Sequence, residues 1–158
     1  MPVIHVTTII HAPVERVFDI SRSIELHKKS MQHTHEQAIA GNVSGLLNEG
    51  DIVTWKAFHL RKERYLKVRI SKLQKYSFFI DEMMQGDFKS YKHEHYFKPI
   101  DNGTILINIL SFETPYSVIG ILFNKFFLTN YMKQLLEHRI NFIKHYAEEE
   151  AAQKNLIL

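Results

Sequence analysis

The feature that most constrains this chain is where its helical and strand-like patterns fall: helix at the two ends, strand in the middle. One short strand runs into Ala12-Pro13-Val14-Glu15-Arg16-Val17-Phe18-Asp19-Ile20, and a long amphipathic run spans about Pro115 to Glu150. Between them lie alternating segments separated by hairpin turns. Strands followed by one long helix predict an α+β domain in which the helix covers one face of an antiparallel sheet. A curved sheet that grips one helix leaves a cavity between them, and function is expected there.

With 158 residues the chain is read as one domain, 1–158, large enough to bury a core without staples. It has no cysteine, which excludes disulfides, thiolate metal sites and cysteine nucleophiles. Met1-Pro2-Val3-Ile4-His5 does not read as a signal peptide. The longest apolar run, Val118 to Leu128, is broken by Asn124 and Lys125 and is too short for a membrane span. A cytoplasmic protein without stable membrane insertion is the expectation. The net charge is +3, and its basic residues scatter through Lys28-Lys29, Arg61-Lys62 and Lys72 to Lys75. Scattered charge is a solvated surface, so no nucleic-acid partner is expected.

Val3 to Ile10 is β-rich, and Pro13 suits the first turn of a helix that buries Val14, Val17 and Phe18. Ser21 and Ser23 are both placed to cap a second short helix, Ile24 to Lys29. His33 to Ala40 reads as a strand. Asp51 to His59 and Tyr65 to Leu73 alternate, with Val53, Trp55, Ala57 and His59 on one face and Leu66, Val68 and Ile70 on the matching one. Closing them over Arg61-Lys62-Glu63-Arg64 sets His59 against Leu66 and Trp55 against Ile70. Tyr76 to Met84 and Phe88 to Lys98 follow, and Phe88 conflicts with the parity of His93, His95 and Phe97 unless a bulge intervenes. Asn102-Gly103, a hairpin signal, sets Phe97 against Asn108, His95 against Leu110 and His93 against Phe112. In the last helix, Phe123, Phe126, Phe127, Leu128, Tyr131, Met132, Leu135, Leu136, Ile140, Phe142, Ile143 and Tyr146 form a broad apolar stripe. Its start near Ser117-Val118-Ile119-Gly120 is expected to be irregular, and residues 146–158 are expected to fray.

The order strand, two short helices, six strands, long helix resembles the START-like superfamily, the helix-grip fold of lipid-transfer domains, polyketide cyclases and plant ligand-binding allergens. The residues that carry the likeness are Ile10 to Asp19, which look like the lead into that superfamily's first helix. Gly50-Asp51-Ile52-Val53-Thr54-Trp55, and Asp81-Glu82-Met83 followed by Gly86-Asp87-Phe88-Lys89, look like a bacterial subgroup often left functionally unassigned. The resemblance implies a seven-stranded curved antiparallel sheet gripping a long C-terminal helix. It does not fix the chemistry.

His93-x-His95 puts two imidazoles on one strand face, and His33-x-His35 repeats the spacing. A metal site would need a third ligand such as Asp81 or His59, and no cysteine or HExxH motif supports one, so no metal ligands and no cofactor are assigned. If Phe79 and Met83 point inward so does Asp81, and a buried carboxylate demands a partner: His59, His95 or Arg139. The expected ligand-binding residues are Trp55, His59, Asp81, Met83, His93, His95, Phe97, Asn108, Phe112, Tyr131 and Met132. Ile105, Ile107 and Ile109 point the other way, an apolar stripe that predicts a homodimer interface or cover from the N-terminal strand.

Three functions compete. The first is binding of a small hydrophobic ligand (lipid, polyketide or isoprenoid-like) between sheet and helix. The second is a cofactor-independent cyclase or dehydratase using His59, Asp81 and His95 in general acid/base roles. The third is an interaction protein with a closed cavity. No nucleophile elbow or phosphate-binding loop is present, which argues against covalent catalysis.

Overall fold

The computed structural model describes residues 1–115 and 125–157. Strand β1 (Val3–Ile10) leads through Pro13 into α1 (Val14–Ser21) and α2 (Ile24–Ser30). Ser23, not Ser21, caps α2, its side chain accepting from the Leu26 amide; the Ser21 hydroxyl donates back to the Val17 carbonyl instead. A single 3-10 turn (Gln32–Thr34) precedes β2 (Gln37–Gly41). His33-x-His35 is therefore not a strand pair: His33 lies in the turn against His138, and His35 takes a left-handed φ of 54°. The rest is β3 (Ile52–His59), β4 (Lys62–Gln74), β5 (Phe78–Gln85), β6 (Ser90–Ile100), β7 (Gly103–Glu113) and α3 (Lys125–Ile157).

The seven strands form one antiparallel sheet in the order β1-β7-β6-β5-β4-β3-β2. The inward faces match the sequence parity: Val53, Trp55 and Ala57 on β3, Val68 and Ile70 on β4, and His93, His95 and Phe97 on β6 are all buried. Both hairpin registers differ from expectation. β3 and β4 close over Leu60-Arg61, so Trp55 faces Leu66 and His59 faces Lys62. Leu60 and Arg61 both have φ near +60° (54° and 64°), the demand of a type I′ turn met without the glycine or asparagine that usually signals it. β6 and β7 close over Asp101-Asn102, which sets His93 against Leu110, His95 against Asn108 and Phe97 against Leu106. Gly103 is needed for a different reason: a Cβ there would lie 2.2 Å from the Ile10 carbonyl oxygen at the end of β1. Phe88 needs no bulge, because β6 begins after it at Ser90 and pairs regularly with β7.

Helix α3 does two jobs along its length. Leu136, Ile140, Ile143 and Ala147, at three- and four-residue steps, join the core with Val17, Phe18 and Ile20 of α1. Its C-terminal part does not fray at 146. Ala147 is buried, the Glu148 carboxylate accepts from the His11 amide, and Arg16 donates two bonds to Glu150 at 3.0 and 2.9 Å. Toward its start, Leu128, Tyr131, Met132 and Leu135 overhang the sheet without filling the space beneath. Phe126 points to solvent instead of joining the stripe. The expected irregular start around 117–120, and Phe123, lie outside the described residues. On the outer sheet face Ile105, Ile107 and Ile109 are half-buried; β1 lies alongside them, its Ile9, Thr7 and His5 directly opposite.

Candidate functional site

Between the inward sheet face and the first turns of α3 lies a cavity of about 530 Å³. Its wall is mostly apolar: Met31 from the end of α2; Trp55, Ala57 and Leu66 from β3 and β4; Phe88 and Leu110; and Leu128, Met132, Leu135 and Leu136 from α3. Few polar groups interrupt it. His27, Glu36, His59, Tyr91, His93, Tyr131 and Arg139 are the main ones, with Arg64 and Asp87 where the wall reaches solvent.

Of the residues expected from sequence, Trp55, His59, His93, Tyr131 and Met132 line this space. Asp81, Met83, His95, Phe97, Asn108 and Phe112 are not among its lining residues. They sit behind the wall, because adjacent inward side chains on a tightly packed sheet shield one another. Phe97 and Phe112 join the core around Phe18 and Phe79. Met83 reaches toward Gly86, its sulfur 2.9 Å from where a Cβ would stand.

The inner end is a hydrogen-bonded cluster built from diagonal cross-strand pairs. Asp81 faces His93 across β5 and β6, yet its carboxylate accepts from His95 Nε2 at 2.9 Å. His95 faces Asn108 across β6 and β7, yet Asn108 Oδ1 accepts from His93 Nε2 at 2.9 Å. The two imidazoles lie with centroids 3.8 Å apart, and Phe79 stacks on His95 at 4.1 Å. Burial holds both imidazoles well below their ordinary pKa, with the neighbouring His95 adding to the effect on His93 and Arg139 to that on His95. Burial likewise pushes the Asp81 carboxyl up, against the pull of His93, Arg139 and His27. The sequence assigned no metal ligands; the structure brings one donor atom each from Asp81, His93 and His95 within 4.8 Å of one another.

A second cluster was not read from sequence. His27 of α2 stacks on Trp55 at 4.1 Å and donates from Nε2 to Glu36 at 2.7 Å. Burial pushes the Glu36 carboxyl up, but the His27 imidazole, its hydrogen bond, His59 and Arg139 outweigh this and leave it below its ordinary value. Burial lowers His27 in turn, with Arg139 adding to the effect. Glu36 and His27 thus hold one proton-sharing hydrogen bond against the cost of burial. Arg139 reaches in from α3, donates to the Ser21 carbonyl at 2.8 Å and leaves its Nε sealed without a partner among the described residues. Tyr91 is a further missed group, its phenol pushed up by burial and by Asp81. Its odd-numbered parity with His93 was the available signal. The His27–Glu36 pair, which joins α2 to the residue just before β2, follows neither helical nor strand spacing.

The three residues named for acid/base work do not converge. Asp81 and His95 pair, but His59 Nδ1 is bonded to the Tyr131 hydroxyl at 2.8 Å, nearer the outer end. No helix among the described residues is long and apolar enough to cross a membrane.

No protein-family model and no curated protein matches this chain. Solved structures do. A protein from Thermus thermophilus superposes with a TM-score of 0.74 at 18% identity, over 91% of this chain and 95% of that one. A START superfamily protein from Mycobacterium smegmatis gives 0.72 at 13% identity, over 93% and 97%. The ginseng major latex-like protein 151 from Panax ginseng gives 0.67 at 12% identity, over 92% and 97%. Sheet order, helix placement and these superpositions agree: the chain has the START-like helix-grip fold.

Proposed function

We propose that the protein binds a small hydrophobic ligand in the cavity between sheet and helix. The observation that carries this reading is the cavity itself, about 530 Å³ within an apolar wall. That size lies inside the range of small-molecule sites, which combine apolar walls with a few placed polar groups. Apolar surface left unfilled inside a fold forfeits contact energy that a ligand restores. A lipid, polyketide or isoprenoid-like molecule would lay its body against Trp55, Leu66, Leu110, Met132 and Leu135, with His59, His93 and Arg139 meeting its polar atoms. Asp81, Met83, His95, Phe97, Asn108 and Phe112 act from behind by fixing the lining residues in place.

Binding comes before catalysis in this reading, because the three residues expected to do acid/base work do not converge: Asp81 pairs with His95 away from the lining, while His59 is bonded to Tyr131. The test fills the cavity without touching its polar groups. Ala57 lines the wall and is buried, so Ala57→Phe projects a ring into the space. Wild-type protein should enhance the emission of an anilinonaphthalene probe in a saturable manner and release it to added fatty acid. Ala57→Phe, checked by circular dichroism to be folded, should lose most of that signal. Equal probe binding by both proteins would place the probe elsewhere and overturn the reading.

A further inference from the structure

We propose that Asp81, His93 and His95 form a binding site for a divalent transition-metal ion of the zinc class at the inner end of the cavity. The three side chains stand at inward positions of two adjacent strands, so backbone pairing rather than a loop fixes their spacing. Each offers one donor atom, and these atoms lie within 4.8 Å of one another. His95 Nε2 and Asp81 Oδ2 are 2.9 Å apart, and two ligands of one tetrahedral ion at about 2.1 Å each stand about 3.4 Å apart, so this pair need open only slightly. The remaining separations, none above 4.8 Å, must come to about the same value, which the soft terminal torsions of histidine and aspartate permit.

Two nitrogens and one oxygen without sulfur suit zinc or a neighbouring first-row ion. Three protein ligands leave a coordination position open. His93 belongs to the cavity wall, so the ion would lie beside the space where a ligand sits. Asn108, bonded to His93 Nε2 at 2.9 Å, holds the ring as outer-shell partners do in metal sites. The ion-pair partner of Asp81 is the His95 imidazole, and no lysine or arginine among the described residues lies within 4.0 Å of it. A buried carboxylate in that state is costly unless a cation reaches it. The Arg139 guanidinium would oppose a second cation, but its hydrogen bond goes to the Ser21 carbonyl.

This site is independent of the hydrophobic-ligand reading, and its test reads metal alone. Protein stripped with a chelator is titrated with Co²⁺. One equivalent should bind with the visible absorption of a low-coordinate cobalt site, and Zn²⁺ should displace it. Asp81→Asn, nearly the same shape, and His95→Asn should each weaken Co²⁺ affinity at least about tenfold. His33→Ala and His145→Ala should leave it unchanged, although both remove imidazoles that surface binding would use. On the wild-type protein, Zn²⁺ should shift the imidazole NMR signals of His93 and His95 before those of other histidines, a readout that needs no variant to fold. Absence of cobalt absorption, equal affinity in Asp81→Asn, or first shifts at His33 and His138 would each overturn the proposal.

Discussion

The two ends of the cavity are built differently. At the inner end, Asp81, His93, His95 and Asn108 stand on three consecutive strands, and His93, His95 and Asn108 are at most 4% exposed. At the outer end, His59 closes a strand, Tyr131 comes from the helix, and Arg64 pairs with Asp87 of a loop, with side-chain exposures of 30% and 56%. The comparison teaches where polar chemistry is expensive. Inner groups lost water on folding and depend on one another, while outer groups keep water as a substitute partner. The largest stability effects should therefore belong to the inner end.

The largest effect should come from breaking an inner pair. His95→Ala leaves the Asp81 carboxylate without its hydrogen-bonded partner and removes the ring stacked on Phe79. The expected cost is about 3 kcal/mol in urea denaturation. His59→Ala, which removes one bond to Tyr131, should cost about 1 kcal/mol or less. Equal costs would mean that the inner cluster is hydrated, and the contrast would fail.

The second effect is pH dependence in chelator-treated protein. His27, His93 and His95 have folded-state pKa values held below the ordinary 6.5 by burial. The unfolded chain then binds protons that the folded chain refuses, so their contribution is full above pH 6.5 and is lost as pH falls below it. Each such histidine should remove about 1.4 kcal/mol per pH unit within its window. Asp81 acts with the opposite sign: its folded pKa is raised above 3.8, so just above that value the folded state holds the extra proton and gains from acidity. Denaturation midpoints across pH should fall below 6.5 and flatten toward pH 4. A profile flat from pH 7 to 5 would contradict the burial of the histidines.

Smaller still, Tyr131→Phe removes the hydroxyl bonded to His59 and should change stability by under about 1 kcal/mol. Arg64→Gln, which breaks an exposed pair with Asp87, should have an effect near the lower limit of detection. A larger loss in either variant would show that the outer end is closed in solution.

The same contrast explains what could be read from sequence. Which side chains point inward was legible, because strand parity has a period of two and the apolar face declares it. Registers were not. Trp55 was expected opposite Ile70 and lies opposite Leu66, four residues away, because Leu60-Arg61 forms a positive-φ turn with no glycine or asparagine to announce it. His93 was expected opposite Phe112 and lies opposite Leu110, because Gly103 serves the close approach of Ile10 and not the turn. Both slips are even, so every inward residue stayed inward. The depth of each residue was less legible: parity places Asp81 and Trp55 on one face but does not say that Trp55 lines the cavity and Asp81 does not. The helix end misled for a similar reason, since Glu148 and Glu150 look solvated until His11 and Arg16 are brought to them.

The claim that the cavity holds a hydrophobic ligand is tested most directly by contact quenching of Trp55, which is the one tryptophan and lines the wall. A fatty acid brominated along its chain should quench that emission to saturation at one equivalent, and its unbrominated parent should compete it away. The same titration on Ala57→Phe should show little quenching. If the brominated chain leaves Trp55 emission unchanged in the wild-type protein, or quenches both proteins alike, the cavity does not hold such a ligand and the account is wrong.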